Sequence, residues 1–244
     1  MKSLKTLIKK FSSDNIVKQF KKNNIEIKSG QFFFKNKEIH NGLTNHIINL
    51  FQNKLPLEAA IAFFERIMKN PSEASRNELF DFIQATKLPL TSRGTFLAYR
   101  SINSNWKDNQ TRSMDNRIGK IVSMDRKKVD ANRINTCSSG LHFSGYEYNK
   151  NFVKGNGFLT IVEIDPKDVV SIPIDYNLQK GRCCKFKVLD VAKNNNALED
   201  LWYFDAKVAT KEVFVERLHA ATKATKISLR KNTVEELALL WLNA

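Results

Sequence analysis

The stretch GFLTIVEIDPKDVVSIPI, residues 157–174, contains two apolar runs rich in β-branched residues, separated by the polar break DPKD. Such runs, bounded by turn-forming residues, predict two β-strands. Four similar runs lie along the chain: TFLAYRSI (95–102), IGKIVSM (118–124), GLHFS (140–144) and CCKFKVLD (183–190). Only one short helix candidate, YEYNKNFV (146–153), interrupts them. The pattern predicts a mostly antiparallel sheet, because regular alternation of strands and helices would be needed for a parallel one.

Other segments on either side of this β-rich region have helical periodicity. Before it, IEIKSGQFFFKNKEI (25–39) predicts a small β-meander, and helices are predicted within residues 43–52, 56–70 and 70–85. After it, helices are predicted within 208–224, with Val213, Phe214 and Leu218 on the apolar side, and within 232–244. Thr233 and Glu236 have the spacing of a capping box at the start of the last helix.

The predicted fold class is therefore α+β, with a helical N-terminal region, a central mostly antiparallel sheet and a helical C-terminal tail. Four regions are expected: basic amphipathic helices in 1–24, the meander and helices in 25–90, the α+β core in 91–192, and a helical segment in 193–244. We find no internal repeat.

Composition excludes several classes of protein. The 244 residues contain no stretch of about 18 consecutive apolar residues, so no membrane-spanning helix is predicted. The start, MKSLKTLIKKF, lacks the apolar region of a secretory signal. Three cysteines, two of them adjacent, do not form a disulfide framework, which favours a reducing cytosol.

The net charge of +15 is concentrated near the two ends of the chain. Residues 1–37 contain ten lysines against two acidic residues, and residues 207–231 contain seven basic against two acidic residues. Segregated positive charge is typical of proteins that bind a polyanion, either nucleic acid or an anionic membrane surface. A solvated face without a partner explains the same pattern equally well.

The first helix is the strongest candidate for such a contact. Its apolar residues recur at helical spacing, and the predicted polyanion-binding residues between them are Lys2, Lys5, Lys9 and Lys10. A basic amphipathic helix of this kind lies on a membrane, crosses phosphates, or packs on its own domain. The sequence leaves all three open.

The segment TCSSGLHFSGYEY, residues 136–148, combines residue types that serve several chemistries. Catalysis by Cys137 would need a general base, and His142 is the only nearby histidine. Zinc sites use paired ligands such as C-x-x-C, which the chain lacks, so no metal is predicted. A ligand-facing turn and a purely structural turn, whose serines bond backbone groups, remain as equal alternatives.

Four segments together resemble the rIIB-like proteins of tailed bacteriophages, the second partner of the rapid-lysis rII pair. They are residues 70–102, 115–130, 136–148 and 162–189, and the resemblance spans Lys28 to Leu189. It implies a role in lysis timing or in resistance to a host exclusion system, in the host cytoplasm at the inner face of the host membrane. It also implies an rIIA-like phage protein as partner. No catalytic reaction and no cofactor come with it.

The order of the predicted strands is also similar to that of ADP-ribosyltransferase folds, where an early Arg or His and a later Ser hold NAD. The candidate ligand- or anion-binding residues on this interpretation are Arg100, Ser138, Ser139, His142, Lys180 and Arg182. The strand expected to supply the catalytic glutamate reads GRCCKFKVL and contains no acid. A degenerate binder of a nucleotide or phosphate is therefore favoured over a transferase.

Two functional hypotheses follow. The first is a non-catalytic rIIB-type factor that contacts a protein partner and a polyanion. The second is a nucleotide-binding or ADP-ribosyltransferase-like protein that uses a cleft around Arg100, Ser139 and His142. The sequence leaves the oligomeric state and the identity of any ligand open.

Overall fold

A small antiparallel meander is the first element among the described residues. The computed structural model describes residues 24–28, 31–38, 58–86, 88–150, 153, 156–192, 203–204 and 209–244. The meander consists of β1 (Ile25–Lys28), β2 (Gln31–Phe34) and β3 (Lys37–Glu38), in the order β1-β2-β3. Lys35 and Asn36 form a left-handed turn with φ of 48° and 64°, the backbone twist that suits a two-residue hairpin.

Two helices follow, α1 (Glu58–Ile67) and α2 (Glu73–Thr86). The side chain of Ser72 accepts a hydrogen bond from the amide of Ser75 at 3.2 Å, which satisfies one of the free amides at the start of α2. Phe63 and Phe82 are buried on the helices and make edge-to-face contacts with Phe96. The helices thus cover one face of the large sheet with aromatic side chains.

Within the described residues the large sheet has nine strands, namely β4 (Leu90–Thr91), β5 (Phe96–Ile102), β6 (Ile121–Ser123), β7 (Leu141–Ser144), β8 (Phe158–Ile164), β9 (Val169–Ser171), β10 (Lys180–Cys183), β11 (Lys185–Ala192) and β12 (Tyr203–Phe204). Seven of them follow the hydrogen-bonded order β6-β11-β8-β5-β7-β10-β9, while β4 pairs with β5 and β12 pairs with β4. Every pairing is antiparallel except that of β12 with β4. The α+β prediction with a mostly antiparallel sheet is therefore confirmed. A short helix, α3 (Tyr146–Lys150), follows β7.

Three helices near the C terminus pack against the ends of β5, β8 and β11 that contain Ile102, Phe158 and Val191. They are α4 (Lys211–Thr222), α5 (Lys226–Leu229) and α6 (Val234–Asn243). Phe214, Leu218 and Leu237 join Trp106 and Phe158 in a second apolar cluster. The capping box predicted at Thr233 is present, with both of its reciprocal hydrogen bonds to Glu236.

Two sequence interpretations need correction here. The run at Cys183–Cys184 is not one strand: β10 ends at Cys183 and β11 begins at Lys185, with the register shifting at this point. Val213 is 38 % exposed, whereas Val215 is buried, because the apolar side of α4 lies over Phe214, Val215 and Leu218. Neither β12 nor α5 was expected.

Part of the sequence interpretation lies beyond these described ranges. The N-terminal helices, the helix within 43–52 and the linker 194–200 fall outside the described residues, and the four-region division stays a prediction. Among the helices within the described ranges, none is both long and apolar enough to cross a membrane.

Candidate functional site

A cleft of about 480 Å³ lies between the sheet and its neighbouring loops. Strands β5, β7 and β10, helix α3 and the loops after β5 and before β7 all contribute to its walls. This volume falls within the range of about 300–1,000 Å³ that small-molecule sites occupy. Its lining includes Arg100, Asp108, Ser138, His142, Tyr148 and Lys180.

The pairing of β7 with β10 places several cations around one imidazole. Lys180 is paired with Ser144 and Arg182 with His142 in this antiparallel ladder. Directly opposed residues project from the same face of a sheet, so both cations share the face of His142. In the sheet order, β7 lies between β5, which carries Arg100, and β10. Lys180 and Arg182 thus lie on the same face of the sheet as His142, whereas Arg100, which lies opposite Phe143 because Tyr99 is paired with Ser144, contacts the backbone carbonyl of His142.

Gly140 allows the chain to enter β7 at this point. Its φ is +150°, and an added Cβ would lie 3.0 Å from a side-chain carbon of Val129 and 3.2 Å from Arg182. Both the backbone angle and the lack of space disfavour any other residue. The glycine of SSGLHF thus lets the side chain of Arg182 pass directly beneath the turn.

The side chain of Arg100 is buried, and the relative exposure of the residue is 9 %. Its Nη1 donates to the carbonyl oxygen of His142 at 2.6 Å, and the guanidinium lies 5.3 Å from the ring centroid of Phe186. Its Nε has no hydrogen-bond partner among the described residues. Desolvation lowers the pKa of Arg100, opposed by charge interactions with Cys183 and Asp108. Since arginine keeps its proton in proteins, the cleft contains a buried positive charge with a spare donor.

His142 is the uncharged centre of this group. Burial, followed by the positive charges of Arg100, Arg182 and Lys180, lowers its pKa to about 4. A hydrogen bond with the backbone of Gly140 opposes this shift. The imidazole is therefore neutral at pH 7 and does not add to the positive charge of the neighbouring cations.

Lys180 occupies an aromatic corner of the cleft. Its side chain is 4 % exposed, and its Nζ lies 2.7 Å from the carbonyl of Thr136 and 2.7 Å from the carboxylate of Asp175. The same Nζ lies 5.9 Å from the ring of Tyr148 and 5.1 Å from that of Tyr176, distances at which cation–π attraction operates. The two rings meet edge-to-face at 5.0 Å, and we call them the Tyr148–Tyr176 pair.

Asp108 organises the loop that forms one wall of the cleft. Its carboxylate accepts hydrogen bonds from the amides of Thr111, Arg112, Ser113 and Met114, and from the hydroxyl of Thr111, at 2.6–3.2 Å. Burial alone would raise the pKa of this carboxyl, but the hydrogen bonds outweigh it and lower the pKa to about 2. Residues 108–114 are thus held as one compact turn around a charged group.

Comparison with known proteins identifies the family. A sequence model described as "Bacteriophage T4 protein rIIB" matches residues 9–214. The chain belongs to this rIIB family. Protein rIIB of Enterobacteria phage T4 is 33 % identical over 187 residues, which cover 77 % of this chain and 60 % of that relative. The family match extends beyond the Lys28–Leu189 range of the motifs in both directions. No solved structure gives a significant match.

Within this rIIB-family chain, four of the predicted ligand-binding residues line the cleft. They are Arg100, Ser138, His142 and Lys180. Ser138 also hydrogen-bonds to Asp130, and this bond is the largest of the effects that lower the pKa of that carboxyl to about 2. The structure thus brings together residues from three strands and a loop that lie up to 80 positions apart in sequence.

The remaining two, Ser139 and Arg182, hold the loop before β7 in place. The Ser139 hydroxyl donates to the carbonyl of Lys128 at 2.7 Å, which is the structural alternative for this serine. Arg182 is fully buried and donates to the carbonyls of Asn132 and Asn135 at 2.7 and 2.8 Å. The sequence interpretation that placed these two side chains in the cleft is not supported, because their polar atoms bond to the scaffold of the loop.

The cysteines of the rIIB-family chain contribute little chemistry. Cys183 and Cys184 are buried, and desolvation raises the pKa of both thiols, so they stay protonated at pH 7. Cys137 is exposed and lies at the cleft. Within the described ranges, no group of three or more His, Cys, Asp or Glu side chains is arranged to hold a metal.

Two features of the site were not predicted from the sequence, namely Asp108 and the Tyr148–Tyr176 pair. An aspartate three residues before a threonine, in DNQT, is typical of a side chain that caps its own turn, so Asp108 left a weak signal. No sequence signal indicates Tyr176, because only the folded chain brings it into contact with Tyr148. The predicted polyanion-binding lysines, Lys2, Lys5, Lys9 and Lys10, lie outside the described residues.

Proposed function

We propose that this protein is a non-catalytic phage factor of rIIB type that acts in lysis timing or in protection against host exclusion. It works through contacts with an rIIA-like phage protein and with a polyanion, in the host cytoplasm at the membrane face or on nucleic acid. The observation that carries this proposal is the family match over residues 9–214. Lysis timing, exclusion and the partner itself are proposed from the family resemblance.

The state of the nucleophilic groups supports a non-catalytic role. The neutral His142 is surrounded by cations rather than oriented by a carboxylate, whereas a general base is usually paired with a group that stabilises its protonated form. The buried thiols have raised pKa values. These side chains are therefore poorly suited to nucleophilic catalysis.

The larger excess of positive charge favours the N-terminal lysines for the polyanion contact. Near the C terminus, Arg217 pairs with Asp190, Lys226 with Glu216, and Arg230 with Glu212. Glu212 and Glu216 are already counted in residues 207–231, so only Asp190 offsets a further charge there. The first 37 residues, with ten lysines against two acids, have the larger excess, although Lys35 pairs with Glu65.

Binding to anionic vesicles and to duplex DNA, each measured at several salt concentrations, tests this contact. One variant replaces Lys2, Lys5, Lys9 and Lys10 by Gln, and the matched control replaces the exposed Lys69, Lys120, Lys127 and Lys231 by Gln. On duplex DNA each phosphate contact changes the slope of log affinity against log salt by about 0.9, so the N-terminal variant is expected to reduce the slope by up to about 3.6. Equal binding by both variants, or binding that salt does not weaken, would refute the proposed contact.

Co-purification tests the protein partner. An rIIA-like protein from the same phage is expected to co-elute with this chain during size-exclusion chromatography. Separate elution at concentrations of about 10 µM would show that the pair does not form a complex with a Kd in the nanomolar range.

A second function is favoured by the unpartnered Nε of the buried Arg100. We propose that the cleft binds a small phosphate-bearing molecule, as expected for a nucleotide-binding or degenerate ADP-ribosyltransferase-like protein. Ser139 is not part of this site, and Arg182 and Lys185 occupy the positions where the transferase comparison requires an acid. Binding is therefore proposed without transfer chemistry. A melting-temperature increase with any phosphate compound supports it, and no increase with any of them refutes it.

A further inference from the structure

Two buried cations flank His142 with donors that the protein does not use. The Nε of Arg100 has no partner among the described residues. Lys180 has three N–H groups, and the carbonyl of Thr136 and the carboxylate of Asp175 take two of them. An unsatisfied donor on a buried charged group costs free energy, typically more than for a neutral group. Both groups line the cleft, so a ligand that reaches them gains these hydrogen bonds.

The carboxylates beside these cations also contact the protein. Asp108 points its oxygens at the amides of residues 111–114, and Asp175 pairs with Lys180 through Oδ2, whereas its Oδ1 has no partner among the described residues. Neither of these groups satisfies the Nε of Arg100. The ligand that suits this end of the cleft therefore has a negative charge and several acceptor oxygens, as a phosphate monoester does.

The aromatic corner of the same cleft indicates what is attached to the phosphate. Tyr148 lines the cleft, is half-buried and is held in place by the edge of Tyr176. Burial raises the pKa of its hydroxyl to about 12, so the ring stays uncharged and does not repel an anion. Every nucleobase has a π-face, and stacking on an aromatic side chain is tolerant of base identity.

The mouth of the cleft adds groups that can read the edge of a base. Asn109 and Gln110 are exposed on the loop held by Asp108, and both line the cleft. An amide side chain offers both donors and an acceptor, which matches the mixed edges of purines and pyrimidines.

We propose, resting on the second proposed function, that the cleft binds a nucleoside monophosphate. The phosphate contacts Arg100 and Lys180 beside His142, and the base packs against the Tyr148–Tyr176 pair within reach of Asn109 and Gln110. The volume of about 480 Å³ accommodates a ligand of this size.

Isothermal titration calorimetry with the full chain tests the proposal. The ligands are AMP, GMP, CMP and UMP, with inorganic phosphate and ribose 5-phosphate as compounds that lack the base. At least one nucleotide is expected to bind tenfold or more tightly than ribose 5-phosphate. Tyr148→Leu is expected to weaken nucleotide binding at least fivefold and to leave ribose 5-phosphate unchanged. Arg100→Lys, which keeps the charge but removes Nε, is expected to weaken both at least tenfold. Lys127→Ala, at an exposed position away from the cleft, is the control and is expected to bind as the parent does.

The outcomes separate the inference from the function on which it rests. Equal affinity for nucleotides and ribose 5-phosphate, unaffected by Tyr148→Leu, overturns the base contact and leaves an anion site. No binding of any phosphate compound overturns both. If Arg100→Lys does not fold, the imidazole signals of the parent protein decide. The His142 signals are expected to shift with nucleotide, and unchanged signals at saturating ligand place the binding elsewhere and overturn the proposed site.

Discussion

Asp108→Asn is expected to destabilise the protein in a way that depends on pH. The carboxylate of Asp108 accepts five hydrogen bonds from the loop 108–114, and its pKa is lowered from 3.8 to about 2. The residue is 3 % exposed, so solvent screening is limited. One pKa unit corresponds to about 1.4 kcal/mol, and the shift therefore corresponds to about 2 kcal/mol of folding free energy at pH 7.

The direction of the pH dependence follows from the lowered pKa. In the unfolded chain the carboxyl titrates near 3.8, whereas in the folded chain it stays ionised to about 2. The stabilisation is complete above about pH 5 and is lost as pH falls through the folded-state value. At pH 3 about half of it remains. The asparagine cannot ionise, so the difference between the two proteins shrinks with acid.

Urea denaturation of the parent and the variant at pH 7 and pH 3 measures this difference. A loss of about 2 kcal/mol at pH 7 would also lower the melting temperature, measured in a parallel thermal melt, by roughly 4–8 °C for a chain of this size. Asp125→Asn is the matched control, because Asp125 caps a single exposed turn through the amide of Lys127 at 3.0 Å. Its cost is expected to stay within about 0.5 kcal/mol at both pH values. A difference for Asp108→Asn that is the same at both pH values would refute the electrostatic explanation.

Three further predictions concern other parts of the molecule. His142, with a pKa of about 4, is expected to show a higher pKa in NMR titrations with a bound phosphate, since an anion offsets the surrounding cations; an unchanged value would contradict an anion beside it. Gly140→Ala is expected to cost about 1–3 kcal/mol in thermal melts because of its φ of +150°, and a neutral effect would show that the turn can rearrange. Thr233→Ala removes the cap of α6 and should cost about 1 kcal/mol; no loss of stability in denaturant titrations would mean that tertiary packing, rather than the cap, sets the end of this helix.

Much of the fold follows from local sequence signals. The runs that became β5, β7 and β8 are apolar and β-branched, and the Thr233–Glu236 capping box is a purely local pattern. In contrast, β10 reads KGRC, a combination that strand propensities disfavour. It forms because β7 and β9 pair with it on both sides, and that information is not local. The strand that supplies both cations of the β7–β10 ladder was therefore the one that sequence reasoning could not delimit.

The candidate site, like the fold, could be predicted from the sequence only in part. Arg100, Ser138, His142 and Lys180 were candidates on the comparison with ADP-ribosyltransferase folds, and all four line one cleft. That comparison did not separate them from Arg182, because the residue type of an arginine does not show whether it binds a ligand or a carbonyl group. The difference lies in the loop 130–136, which brings the carbonyl groups of Asn132 and Asn135 to Arg182.

The two buried arginines have opposite roles because of what surrounds their donors. Arg182 bonds to the carbonyls of Asn132 and Asn135, and this loop in turn presents the carbonyl of Thr136 to Lys180. Arg100 lines the cleft, donates one hydrogen bond to the carbonyl of His142, and has a buried Nε without a partner among the described residues. Buried donors without partners are rare in native proteins and call for an explanation. The Nε of Arg182 also lacks a partner among the described residues, but the other donors of Arg182 are satisfied by the loop that it supports. Arg100 has one such bond, to the carbonyl of His142, and lines the cleft, so the proposed phosphate would satisfy its Nε.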